Sequence, residues 1–183
     1  FFRERIFAPL GMTDTGFWVP PADAERIVEM VTPDGDGGLV ACEALHRGPI
    51  HEKPAFLSGG GGLFSTTSDY LRFSQMLLDG GALGDVRLLA PKTVELMRAD
   101  HLPAGHPPLG VNRRGFGLGV SVLRRLGETH QLGSVGEFGW GGAACTQVWI
   151  DPAEEMITLM MSQLRPTGIV GVFPIMDLVK QAA

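Results

Sequence analysis

The chain has 183 residues, 44% of them hydrophobic and 19% charged, a composition of soluble globular type with room for one core or a large piece of a bigger one. Fifteen basic and twenty acidic side chains leave a net charge of −5, and no basic run or basic amphipathic stretch points to nucleic acid or to an anionic membrane surface. No apolar run reaches the roughly 18 residues of a membrane span, and two cysteines, Cys42 and Cys145, are too few for a disulfide framework and read as small buried apolar residues.

The chain opens on Phe1 without Met or a signal-peptide pattern, as if inside a helix, so the N-terminal part of a larger protein is expected to be absent. Cytoplasmic and periplasmic locations both stay open. Phe2, Ile6, Phe7 and Leu10 recur at helical spacing, which predicts the tail of a helix over Phe1 to Ala8, stopped by Pro9-Leu10-Gly11. A loop follows from Met12 to Pro21, with Phe17 and Trp18 as anchors. Ala22 to Val31 carries a weak helical pattern, and Thr32 to Pro54 reads as a long irregular stretch.

The clearest helix begins after Thr66, whose pairing with Asp69 resembles a capping box. Tyr70, Phe73, Met76 and Leu77 give it an apolar face, and Gly80-Gly81 ends it. Ala90-Pro91 opens a shorter helix with Val94 and Met97 inward, and His101 to Pro108 is a proline-rich loop. The period then changes. Phe116 to Leu123, Thr146 to Ile150 and Met156 to Met161 read as three antiparallel strands, the last two joined by a turn at Asp151-Pro152-Ala153-Glu154. Ile169 to Ala182 is expected as a terminal helix that buries Val172, Ile175, Met176 and Val179 on the sheet. The fold class is therefore α+β, an antiparallel sheet flanked by helices in three layers. Residues 1–110 are mostly helices and loops, 111–168 strands, and 169–182 the closing helix.

Several chemistries lack their signatures. His46 and His51, and His101 and His106, stand five apart in loops, His130 stands alone, and no acid or cysteine completes a metal motif; neither metal nor cofactor is expected. No Gly-x-Ser-x-Gly elbow is present, because Ser134 has Leu132 where the first glycine belongs, and no serine opens a Ser-x-x-Lys. Tyr70, the single tyrosine, reads as packing. Gly59 to Gly62 precede no lysine and so form no P-loop; they read as close packing ahead of the helix, with an anion at its N-terminus as the lesser alternative. Gly139 to Ala143 stay open between two readings. One is a glycine-lined bulge with Trp140 plugging the core; the other is a free strand edge whose N–H groups stabilise a developing oxyanion.

Three stretches together resemble the C-terminal half of the serine β-lactamase-like family, which spans class C β-lactamases, D-alanyl-D-alanine peptidases and family VIII carboxylesterases. They are Ile6-Phe7-Ala8-Pro9-Leu10-Gly11-Met12-Thr13-Asp14-Thr15, Leu57 to Thr66 with Ser68-Asp69, and Gly139-Trp140-Gly141-Gly142 followed by Trp149-Ile150-Asp151-Pro152. The resemblance implies a β-lactamase-like fold in which Trp140-Gly141-Gly142 take the place of the third motif, on an edge strand, and the Ala143 N–H completes the oxyanion hole. Trp140 then stands where the family has a cationic residue, which tilts the implied activity toward ester hydrolysis. The family's Ser-x-x-Lys and tyrosine motifs would lie upstream of Phe1, so this chain alone is not expected to hydrolyse anything. The implied partners are a small ester or β-lactam substrate, and either the N-terminal half or a second copy covering exposed apolar surface. A non-catalytic binding module of the same fold is the alternative.

Overall fold

The computed structural model describes residues 1–45, 49–109, 113–129, 131–165 and 178–182. His46, His130 and the positions Val172, Ile175 and Met176 lie outside them. The helical spacing at the start produces a π-helical turn, Arg3–Phe7, running into α1, Ala8–Leu10. Gly11 stops it at φ 66°, a left-handed backbone that favours glycine. Phe7 and Leu10 are buried, and Phe2 stacks on Phe17 with ring centroids 5.8 Å apart. Trp18, the second expected anchor, is 39% exposed instead; the loop is held there by backbone, the Val19 N–H donating to the Ile50 carbonyl at 2.8 Å.

The weak helical pattern after Pro21 yields only a 3-10 helix, Pro21–Arg26, because Ile27 is already extended. The stretch expected to be irregular contains a small hairpin, β1 at Val31–Pro33 and β2 at Leu39–Ala41. Asp34 closes its turn by accepting the Asp36 and Gly38 N–H groups, each at 2.9 Å.

Helix α2, Thr67–Leu78, forms as its local signals dictate. Thr66 Oγ1 accepts the Asp69 N–H at 3.2 Å, and the Gly81 N–H donates back to the Met76 carbonyl at 2.8 Å. The Asp69 carboxylate reaches away from its own helix: Oδ2 accepts the Asp14 N–H and the Thr15 hydroxyl, both at 2.8 Å. Arg72 Nε donates to the Leu10 carbonyl. The first turn of α2 is thereby clamped to the loop behind α1. A two-residue hairpin, β3 at Ala82–Leu83 with β4 at Val86–Arg87, leads to α3, Pro91–Met97, which buries Val94.

Five antiparallel strands follow in sequential order: β5 Gly115–Phe116, β6 Ser121–Val122, β7 Phe138–Gly141, β8 Gln147–Asp151 and β9 Met156–Met160. The single strand expected over 116–123 is a correction. The chain turns back within it, the Gly117 N–H donating to the Val120 carbonyl at 2.8 Å with Gly119 at φ 89°, so its alternation belongs to two short strands. The β8–β9 turn is as expected, with Asp151 Oδ1 accepting the Ala153 N–H at 3.0 Å.

Cross-strand register puts Val122, Phe138 and Ile150 on one face of the sheet, packed with Phe7, Leu10, Met12, Met76, Leu77 and Val94 in the core. The other face carries Trp149, opposite Gly139. The helical residues 178–182 reach this face through Lys180, whose Nζ lies 5.9 Å from the Trp149 ring. Val179, expected to be buried on the sheet, is 48% exposed and lines a groove along the outer edge of β9 with Leu71, Ile157 and Leu159. The architecture is α+β, and among the described residues no helix is long and apolar enough to cross a membrane.

Candidate functional site

Strand β7 is internal in the strand order, yet it behaves as an edge over half its length. Strand β6 pairs only with Phe138 and Gly139, while β8 pairs with all four residues as far as Gly141. The Gly142 N–H donates to the Thr146 carbonyl at 2.8 Å. Hydrogen-bonded and non-bonded pairs alternate along an antiparallel ladder, so Trp140 and Gly142 turn their N–H groups to β8 and Gly141 turns its own away, where no strand residue stands opposite. Ala143 follows, exposed, and its N–H has no hydrogen-bond partner among the described residues. The four site residues expected from the sequence, Trp140, Gly141, Gly142 and Ala143, thus form one continuous stretch that is open on the side away from β8.

Trp140 is 50% exposed, which rules out the core-plug reading. Its ring stands edge-on to Phe116, with centroids 5.4 Å apart and planes at 70°. The glycines have separate causes. At Gly139 a β-carbon would run into the Val148 carbonyl oxygen and come within 2.8 Å of Trp149 Cε3, so the close approach of β8 forbids any side chain. At Gly142 it would strike Thr146 Oγ1, and at Gly141 it would meet only the far end of the Gln147 side chain, at 2.7 Å from Nε2. Packing accounts for Gly139; the open edge is the property of Gly141 and Ala143.

A buried charge cluster fixes the start of β7. Glu137 is 0% exposed, and its Oε1 accepts from Arg114 Nη1 and Nη2 at 3.1 Å each. Lys180 Nζ donates to Oε2 and to the Leu132 carbonyl. The Arg114 guanidinium lies over the Trp149 ring at 4.2 Å. Burial pushes the Arg114 pKa down from its ordinary value, against the raising effect of the Glu137 charge. Burial likewise pushes the Tyr70 phenol up, in keeping with its packing on Phe73 at 6.0 Å. Glu137, Arg114 and Lys180 were not foreseen, since nothing in their spacing marks them as neighbours.

The beta-lactamase family model matches residues 1–170. An uncharacterized protein of Mycobacterium tuberculosis (strain CDC 1551 / Oshkosh) is 40% identical over 173 residues, covering 89% of this chain and 42% of that protein. A protein of Escherichia coli (strain K12) named "Putative D-alanyl-D-alanine carboxypeptidase" is 30% identical over 183 residues, covering 88% of this chain and 39% of that protein. Unliganded simvastatin synthase from Aspergillus terreus superposes with a TM-score of 0.79 at 26% identity, over 99% of this chain and 48% of that one. The chain spans about two fifths of the length of these curated relatives and about half of that solved structure. With the family model matched over most of its length and the fold shared with such structures, the chain belongs to the beta-lactamase family.

Proposed function

We propose that these residues form the C-terminal part of a serine hydrolase that cleaves uncharged esters through an acyl-enzyme. The observation that carries the reading is the open stretch Trp140 to Ala143, with an exposed N–H at Ala143 and an uncharged, half-exposed ring at Trp140. A fixed backbone donor beside a reacting carbonyl stabilises charge that appears only in the transition state. In this reading a serine from a Ser-x-x-Lys, a motif these 183 residues do not contain, attacks the ester carbonyl. The Ala143 N–H and the nucleophile's own N–H hold the oxyanion, the alcohol leaves, and water releases the acyl group. Trp140 presents apolar surface and one indole N–H, with no cation to meet a substrate carboxylate.

A second reading, a β-lactamase or D-alanyl-D-alanine peptidase, is favoured by the printed name of the E. coli relative. A third reading is a non-catalytic binding module of the same fold. The full-length gene product assayed on short p-nitrophenyl esters beside a chromogenic cephalosporin separates them. Faster acyl turnover on esters is expected; faster turnover on the cephalosporin overturns the ester preference, and no turnover on either favours the binding module. The apolar groove beside β9 supports a partner there, either the remainder of the polypeptide or a second copy. Light scattering of the 183-residue chain should show association, and a well-behaved monomer counts against it.

A further inference from the structure

We propose that Ser162 is a positioning residue for the Ala143 N–H, an inference that rests on the oxyanion reading of the β7 edge. Gly142 and Thr146 close the β7–β8 hairpin and leave three loop residues, Ala143, Ala144 and Cys145. A three-residue loop is built as a type I turn followed by one left-handed residue, the place where glycine is normal. The turn is present, with the Cys145 N–H donating to the Gly142 carbonyl at 3.1 Å. The left-handed position falls on Cys145, at φ 60° and 3% exposed. A β-carbon disfavours that conformation, so the loop is not held by its own backbone preference.

Ser162 supplies what the loop lacks. It stands two residues beyond β9, and its hydroxyl lies 2.9 Å from the Ala144 carbonyl and 2.9 Å from the Cys145 carbonyl, sharing one hydrogen between two successive acceptors. The Leu164 N–H donates to the same Ala144 carbonyl at 3.1 Å. Ser162 is itself held, since Gln163 Nε2 donates to its carbonyl at 2.9 Å. Both carbonyls at the loop tip are thus turned toward the segment after β9, Ala144 and Cys145 are buried, and Ala143 is left exposed with its N–H unpartnered among the described residues. An oxyanion donor works only if it is in place before the charge develops, so the tether that orients the loop acts on the reaction through Ala143.

The test uses the full-length protein with Ser162→Ala, Ser162→Thr and the double variant Ser162→Ala/Cys145→Gly. On p-nitrophenyl butyrate, Ser162→Ala should lose up to about 100-fold in kcat with KM within about 2-fold, the size of effect a misplaced catalytic group produces. Ser162→Thr should recover most of the loss because it keeps the hydroxyl. The double variant should also recover, because glycine makes the left-handed position free and removes the need for the tether. A merely structural serine would give neither the kcat-only loss nor the rescue by glycine. Hydrogen exchange at the amides of Gly142, Cys145 and Leu164 is read in parallel and needs no turnover; it should quicken in Ser162→Ala and slow again in the double variant. If the wild type turns over neither the ester nor the cephalosporin, the oxyanion reading falls and exchange alone decides the tether. Unchanged exchange in Ser162→Ala, or unchanged kcat in an active enzyme, overturns the proposal. So does an activity loss that the glycine variant leaves in place.

Discussion

Glu137→Gln tests the cluster that anchors β7. The substitution keeps the volume and one acceptor but removes the only anion that, among the described residues, pairs with two cations whose side chains are 4% and 6% exposed, Arg114 and Lys180. At 3.1 Å and an effective dielectric near 20, the Arg114–Glu137 pair is worth roughly 5 kcal/mol before desolvation is subtracted. Glutamine would also point an amide donor at groups that can only donate. The Trp149 ring, 4.2 Å from Arg114 and 5.9 Å from Lys180, offsets about 1–2 kcal/mol at most. Breaking a buried pair by removing one partner costs about 3–5 kcal/mol, and that is the expected loss. Urea unfolding followed by tryptophan fluorescence measures it; with a slope near 2 kcal/mol/M the midpoint should fall by about 2 M. Lys180→Met should cost less, because Glu137 keeps Arg114. A loss below about 1 kcal/mol for Glu137→Gln, or a larger loss for Lys180→Met, would refute the reasoning that one carboxylate neutralises both cations.

Three further outcomes follow from single contacts. Gly139→Ala should lower stability by about 2–3 kcal/mol in thermal melts, since its methyl meets the rigid Val148 carbonyl, whereas Gly141→Ala should be nearly neutral because only the end of Gln147 must move. Thr66→Ala removes the cap accepting the Asp69 N–H and should cost about 1 kcal/mol in the same assay. Asp100 is raised by burial but held below its ordinary 3.8 by the Phe116 and Leu102 N–H groups and the Arg124 charge. A carboxylate depressed in the fold adds stability above its unfolded pKa that is lost as pH falls through the folded value. Asp100→Asn should therefore be less stable than the parent at pH 7, with the gap closing as the pH drops below 3.8 in a series of urea titrations.

What was legible in the sequence was local. Helix α2 carries its cap at Thr66, its buried stripe at Met76 and Leu77 and its glycine stop within one stretch, so each signal could be read from neighbours. Strands β8 and β9 were legible as short apolar-rich runs on either side of the Asp151-Pro152 turn signal. The misreadings arose where a pattern had two physical solutions. Alternation across Phe116 to Leu123 is satisfied equally by one strand or by two around Gly119. At Trp18 and Val179 apolar character suggests burial, but backbone bonds hold the first and Lys180 does the docking beside the second. The ion cluster joins Arg114, Glu137 and Lys180 across 23 and 43 residues, and no period links such positions. Trp140 to Ala143 were found through family resemblance, since spacing alone left packing and open edge balanced, and each holds at a different glycine. Cys145 was within reach: a three-residue loop wants glycine at its third position, and the sequence has none there.

The three stretches of resemblance do different physical work. The first two are bound to each other, through Asp69 on Asp14 and Thr15, through Arg72 on Leu10, and through reciprocal Gly16 and Phe64 backbone bonds of 3.0 and 2.8 Å. That joint sets α1 and α2 under the face bearing Phe138 and Ile150. On the opposite face Arg114 and Lys180 hold Glu137, the residue just before β7. The strand is therefore gripped from both faces at its start and by β6 at only two residues. Past Gly139 the grip passes to β8 alone and, at the loop, to Ser162. Rigidity at one end and unspent backbone groups at the other are what a preorganised donor requires. The third stretch is the one built to leave such groups unspent.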